Sequence, residues 1–299
     1  MQTITSMAIP AALYVLGIFC FTYPFVWLQK RKNKGGKSPL SGHLLRSPGT
    51  SLQRRIEDLN LTIMAYTAIF PTLPLLGYSL YLPLNHAQKA MTLSALFILF
   101  FLFGVLLWFG FKVYRLMTER NNCRLELDAE MAVGQELNQL MADGCRVYHD
   151  FPAENFNIDH IVVGPTGVFA VETKGRIRAQ KRKGKIDATV IYDGNLLQFP
   201  DWYETEPLLQ AQRQADWLRK WLTSAVGEVG YVQTVLALPG WYVVRKADRP
   251  IKVISGKEAY SLAKPNGISL NAEMIERIAH QVEQRCRDVE PVAYRQEKK

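Results

Sequence analysis

The sequence predicts two parts: an α-helical membrane anchor with three transmembrane helices, followed by an α/β domain with a mixed central sheet. Three stretches, residues 7–28, 61–84 and 90–111, contain no Asp, Glu, Lys or Arg. Each is longer than the ~20 apolar residues that cross a bilayer as one helix. The rest of the chain combines short β-rich runs with amphipathic helical patterns, which is typical of an α/β domain. A purely soluble protein is therefore not expected.

The positive charge is concentrated beside the predicted spans. Residues 1–117 contain 11 Lys and Arg against 2 Asp and Glu, whereas residues 118–299 contain 25 of each sign. Most of the excess lies in a basic linker at 30–60. Because positive residues are retained in the cytoplasm, we expect the N-terminus outside, the linker and the domain at 118–299 in the cytoplasm, and a bacterial inner membrane between them.

The predicted spans contain no ionisable residue. Transport and proton-relay pathways usually need one inside the membrane. We therefore expect the spans to act as an anchor in the lipid bilayer. A channel or transporter with a cytoplasmic regulator is the less favoured alternative.

The domain at 118–299 is long enough for one hydrophobic core. Residues 126–143 have helical spacing and end before Gly144, and 207–223 form a second helix with Pro207 at its start. A weak hairpin is expected around Asp193, and a C-terminal amphipathic helix at 272–285. The predicted strands share β-rich, apolar composition: 145–151, 158–163, 168–173, 231–238 and 251–255.

The hairpin at 158–173 contains the residues most suited to chemistry. A symmetric turn over Gly164 to Gly167 places Asp159 opposite Glu172, with their Cβ atoms ~5 Å apart. Lys174 lies on the same face as Glu172, because side chains alternate along a strand. Two carboxylates this close need a cation or a shared proton, and Mg²⁺ would supply that cation. The alternative is an ordinary salt bridge of Lys174 at a strand end.

The sequence IDHIVVGPTGVFAVETK at 158–174 resembles the core signature of NERD, the nuclease-related domain. That family is similar to the PD-(D/E)xK restriction-endonuclease-like superfamily. The likeness extends over a core at about 130–255. It implies a restriction-endonuclease-like α/β fold and phosphodiester cleavage with Mg²⁺ or Mn²⁺.

The resemblance also implies roles for individual residues. Asp159 would be the principal metal ligand, Glu172 the second ligand and Lys174 the catalytic lysine. Glu136, in Gly-Gln-Glu, matches the family's first acidic position and would be a catalytic residue and metal ligand. Gln210, in Pro-Leu-Leu-Gln, matches a site residue on the second helix. The family's Asn before that proline is Glu206 here, so this contact differs.

Two further features could contact nucleic acid. Basic residues in the excursion at 175–205 could bind phosphates electrostatically, and a solvated hairpin tip is the equal alternative: Lys181, Arg182, Lys183 and Lys185. Trp202 and Tyr203 could stack on bases, although partial burial in the core is the commoner role of such residues. His160 points away from Asp159 and is expected to be structural.

Together these observations predict a membrane-anchored, divalent-metal-dependent nuclease that hydrolyses phosphodiester bonds in DNA. The alternative is a non-catalytic module that binds nucleic acid or protein at the cytoplasmic face of the membrane. Divalent-metal binding by the domain would distinguish these two functions.

Overall fold

The computed structural model describes residues 43–69, 93–178, 188–227, 229–247, 250–265, 267 and 269–289. Two compact units divide the chain, and among these residues the first contains 57–69 and 93–120 and the second 43–56 and 121–289. The predicted span at 7–28 lies outside the described residues. Only residues 61–69 of the predicted span at 61–84 are described.

The first unit contains parts of two long helices, α1 (Thr50–Ile69) and α2 (Leu93–Asn138). The helical stretch Phe100–Asp143 has a window of mean hydropathy 1.6, none of it buried, and is long and apolar enough to cross a membrane. It is the one such helix among the described residues. Tyr66 packs edge-on against Phe109, with ring centroids 5.4 Å apart.

The sequence predicted a separate helix from Glu126, whereas α2 is continuous for 46 residues. The interval between the predicted span and that helix, residues 112–125, contains neither Gly nor Pro. It is also rich in Lys, Arg, Leu and Glu, which are good helix formers. Nothing in its composition therefore ends the helix.

The second unit is built on a five-stranded mixed sheet of order β1-β2-β3-β7-β9. Strands β1, β2 and β3 are antiparallel neighbours, and β3, β7 and β9 are parallel. The predicted mixed sheet is therefore present. Its strands are β1 (Arg146–Pro152), β2 (Asn157–Gly164), β3 (Gly167–Thr173), β7 (Val232–Ala237) and β9 (Lys252–Ile254).

A second, four-stranded sheet has the order β6-β5-β4-β8. Its β4–β5 turn confirms the weak hairpin predicted around Asp193, while β6 and β8 were not predicted. Strand β6 has only two residues, which is too short for a periodic signal. Strand β8 pairs with a strand about 50 residues earlier, so local sequence does not reveal its partner. The strands are β4 (Thr189–Tyr192), β5 (Leu197–Gln198), β6 (Tyr203–Glu204) and β8 (Tyr242–Arg245).

Helices cover both faces of the larger sheet. Helices α3 (Glu206–Val226) and α4 (Ala272–Cys286) pack on one face. The C-terminal end of α2, the 3₁₀ helix Gln139–Asp143 and the 3₁₀ helix Gly256–Leu262 pack on the other. Buried β-strands covered on both faces explain why β3 is apolar along almost its whole length.

A segment from the basic linker forms part of the second unit. Residues 43–56, hereafter the linker segment, belong to this unit, and Leu44 forms a β-bridge with Val289, shortly after α4. Gly49 has a left-handed φ of 69°, and a Cβ there would lie 2.3 Å from Leu127. Glycine therefore lets the linker segment approach α2 closely.

Candidate active site

The β2–β3 hairpin sets the position of both predicted carboxylates. Val163 pairs with Val168 and His160 with Val171, so the predicted register is confirmed. Extending this register by one residue places Asp159 opposite Glu172. The backbone N–H of Thr173 donates to Asp159 Oδ2 at 2.7 Å. Asp159 is therefore fixed at the open end of the hairpin.

Glu172 is the centre of the site's hydrogen bonding. Its carboxylate is 1% exposed, and Oε1 accepts from Lys174 Nζ at 2.6 Å and from Gln210 Nε2 at 2.7 Å. Gln210 reaches it from the first turns of α3. Oε2 is buried and accepts no hydrogen bond from the described residues. One buried carboxylate oxygen is therefore available for another ligand.

The charges at the site shift the pKa of each member. Burial, followed by repulsion from Glu172 and Glu130, holds the pKa of Asp159 well above its usual value. Burial also raises the pKa of Glu172, opposed by the charge of Lys174. Burial lowers the pKa of Lys174, but Glu172 and Asp159 outweigh it and the net pKa is raised. Lys174 is therefore charged at neutral pH, whereas the raised pKa values of the two acids favour their protonated forms.

The structure adds a carboxylate that sequence reasoning missed. Glu130 on α2 is 7% exposed, and its Oε2 is buried without a hydrogen bond from the described residues. Burial and the charges of Asp150, Glu172 and Glu126 raise the pKa of Glu130 to about 8. The sequence feature that could have indicated Glu130 is its i,i+4 spacing from Glu126, which places both acids on one face of the helix.

Glu136, the acid that the sequence assigned to the site, lies elsewhere on the same helix. Its carboxylate accepts a hydrogen bond from Gln139 Nε2, at 3.3 Å. It follows Glu130 by six residues, which is ~9 Å along the axis and about 120° around it. The helix therefore brings Glu130, rather than Glu136, to Asp159 and Glu172.

Ion pairs extend from the site toward the smaller sheet. Arg176 donates to both carboxylate oxygens of Glu204, at 2.9 and 3.1 Å, and to Glu126 at 3.1 Å. Glu126 also accepts from the backbone N–H of Gly175 at 2.8 Å. This network fixes the chain that follows Lys174.

The two aromatic residues suggested as base-stacking partners have different environments. Trp202 stacks on Phe199, with centroids 4.5 Å apart, and packs against Trp241. Tyr203 is 67% exposed. Of the two, only Tyr203 has a ring open to a ligand.

Two predictions concern residues beside the site. His160 is buried, and its Nδ1 lies 2.9 Å from His149 Nδ1; burial holds the pKa of His160 well below its usual value. It is therefore a neutral core residue, as expected. The basic residues at 181–185, Lys181, Arg182, Lys183 and Lys185, lie outside the described residues.

The donor set determines how a divalent ion could be held. Among the described residues, no group of three or more His, Cys, Asp or Glu has a ready metal-binding arrangement. Mg²⁺ is commonly held by one or two carboxylates, with water or substrate oxygens completing the shell. Asp159 and Glu172, with a buried oxygen of Glu172 unpaired, fit that type of site.

Residues 126–239 match a protein-family model, the nuclease-related domain. A NERD domain is thus found in this chain. Neither the comparison with curated proteins nor that with solved structures gives a match. The NERD segment runs from the C-terminal part of α2 to the end of β7. It therefore includes every residue of the acidic site, from Glu126 to Gln210, and suggests a nuclease-like function.

Proposed function

We propose that this protein is a membrane-anchored nuclease that hydrolyses phosphodiester bonds in DNA and depends on Mg²⁺ or Mn²⁺. One observation carries the proposal. In a NERD domain, the carboxylates of Asp159 and Glu172 share one end of a hairpin, with Lys174 bound to Glu172. Buried like charges destabilise a fold unless a cation or a shared proton accompanies them, and in this proposal a divalent ion is that cation.

Asp159 and Glu172 would hold the divalent ion. Such an ion lowers the pKa of a bound water and offsets the charge of a phosphate. Lys174 remains protonated at neutral pH and directs its ammonium group into the acidic site, where it can contact a phosphate oxygen or the attacking water. Gln210 holds Glu172 in place through a single hydrogen bond. The protein side chains therefore bind and orient the reacting groups.

The membrane anchor would confine this activity to one surface. The long apolar helix is compatible with such an anchor, and the charge distribution favours a domain on the cytoplasmic side. A nuclease held there would meet DNA that approaches or crosses the membrane. Entry, transfer and defence against incoming DNA are the settings that this placement suggests.

The test uses the full chain purified in detergent. Plasmid, linear and single-stranded DNA are incubated with Mg²⁺, with Mn²⁺ and with EDTA. We expect cleavage that requires the metal ion and falls by at least about 100-fold in Lys174→Ala and Glu172→Gln, since removing a positioned catalytic group typically loses 10²–10⁴-fold.

The control is Lys220→Ala, which removes an exposed lysine from α3 and should cleave like the wild type. Equal cleavage by Lys174→Ala and wild type would contradict the assigned site. Tight, metal-independent DNA binding without any cleavage would instead support the non-catalytic binding module. The ion pair of Lys174 with Glu172 favours this alternative, because an ordinary structural salt bridge has the same arrangement.

A further inference from the structure

A cavity of about 410 Å³ opens beside the candidate active site. Lys174 and Gln210 line it together with β6 and the start of α3. Pockets of roughly 300–1,000 Å³ hold one small ligand. The cavity therefore has room for a single nucleotide, whereas stacked base pairs of a duplex could not enter it.

The charges of the cavity walls are already paired. Lys174 is bound to Glu172, and Arg176 to Glu126 and Glu204. Glu206 is bound to Arg213. Among the described residues, Lys174 and Arg176 of the walls thus already have carboxylate partners. A neutral, flat group with polar edges suits this cavity better than a charged one.

Tyr203 is the exposed aromatic residue among those that line the cavity, and its strand is held on both sides. The preceding Trp202 stacks on Phe199, and its Nε1 donates to the following Glu204 at 2.8 Å. Glu204 is in turn held by Arg176. A tyrosine on a fixed backbone loses little conformational entropy when it binds a ligand.

We propose that this cavity receives one unpaired nucleobase of the substrate, which stacks on Tyr203, so that the nuclease acts on single-stranded or frayed DNA. Aromatic stacking is tolerant of sequence because every base has a π-face. With the base beside Tyr203, the adjoining phosphate lies toward Lys174 and the carboxylates. This inference rests on the proposed nuclease function and specifies its substrate.

The test measures binding of the full chain in detergent, in EDTA so that metal-dependent cutting cannot occur. The probes are a 12-nucleotide DNA with a central 2-aminopurine and the same strand annealed to its complement. We expect Tyr203→Ala to bind the single strand about tenfold more weakly and to lose the quenching of 2-aminopurine. Tyr203→Phe, which keeps the ring, should restore both, and duplex binding should not change.

The matched control is Tyr242→Ala, because Tyr242 is also exposed, at 71%, and lies on the same small sheet outside the cavity. Equal single-strand affinities in Tyr203→Ala and Tyr242→Ala would overturn the inference, as would an equal loss for single strand and duplex. The proposed nuclease function is judged separately, by cleavage in Mg²⁺ or Mn²⁺. Tyr203-dependent binding without cleavage would overturn that function and leave the base pocket in place.

Discussion

Carboxylates outnumber cations at the active site. Glu130, Asp159 and Glu172 repel one another, and their pKa values are all raised. Lys174 forms its ion pair with Glu172, and one ammonium group cannot balance three carboxylates. An ion or proton must therefore accompany these acids, and which of the two is present should depend on pH.

Glu130→Gln should stabilise the metal-free protein at high pH. The pKa of Glu130 is about 8 in the folded state, against 4.5 as its ordinary value. Between pH 4.5 and pH 8, Glu130 thus keeps its proton in the folded state and loses it in the unfolded state. The stability of the folded state therefore falls as the pH rises toward 8. Relative to wild type, the free energy of unfolding of the variant should be higher by about 2–4 kcal/mol at pH 8 and almost unchanged at pH 4.5.

Denaturant unfolding of the full chain in EDTA, at several pH values, would measure this gain. Glu136→Gln is the matched control, because it removes a partly exposed acid from the same helix outside the site, and it should give no comparable gain in stability at pH 8. A gain that is the same at pH 4.5 and pH 8 in Glu130→Gln would contradict the raised pKa.

The sequence could predict the residues whose positions depend on local register. Asp159, Glu172 and Lys174 all belong to one hairpin, and its turn alone fixes which residues face each other. Glu130 could not be found this way, because its position depends on how α2 packs against the sheet. Glu136 was chosen for its motif, and helical geometry places it on another face.

Helices and strands could likewise be predicted where they depend on local sequence. The predicted strands and the helices α3 and α4 agree with the structure to within a few residues. Strand β8 was missed because it pairs with β4, a distant part of the chain, and β6 because two residues are too few to show an alternating pattern. The linker segment was expected to be a basic tether, and its polar contacts with β1 have no periodic signature in the sequence.

Asp150→Ala should destabilise the domain by about 3–5 kcal/mol, as expected when one partner of a buried ion pair is lost. Its carboxylate accepts from Arg46, from Asn157 and from both the backbone N–H and the hydroxyl of Ser51. The side chains of Asp150 and Arg46 are only 2% and 8% exposed. Removing Asp150 leaves Asp288 as the one acidic partner of the buried Arg46 among the described residues, and it leaves the first turn of α1 without its acceptor.

Urea unfolding of the full chain in detergent, followed by tryptophan fluorescence, would measure this loss. Arg146→Ala breaks an exposed ion pair with Glu276 in the same domain and should change stability by less than ~1 kcal/mol. Similar losses in the two variants would show that the linker segment is not held by Asp150.

At the scale of the whole molecule, the compact domain is assembled from two separate stretches of the chain. These stretches are residues 43–56 and the part of the chain that begins at Asn121 in α2. A fragment that begins at residue 118 would lack the first of these, and with it Arg46 and Ser51, two of the partners of Asp150. For this reason the experiments above use the full chain.

The orientation of the protein in the membrane is the remaining prediction at this scale. The linker 30–60 contains more Lys and Arg than the loop after the second predicted span, where Lys89 is the single charge. This difference favours a cytoplasmic C-terminus. β-Galactosidase fused after Lys299 should therefore be active, and alkaline phosphatase at the same position inactive. Replacing the four basic residues at 30–34 with Gln should weaken this preference. An active alkaline phosphatase fusion in the unmodified chain would place the domain outside and separate the site from cytoplasmic DNA.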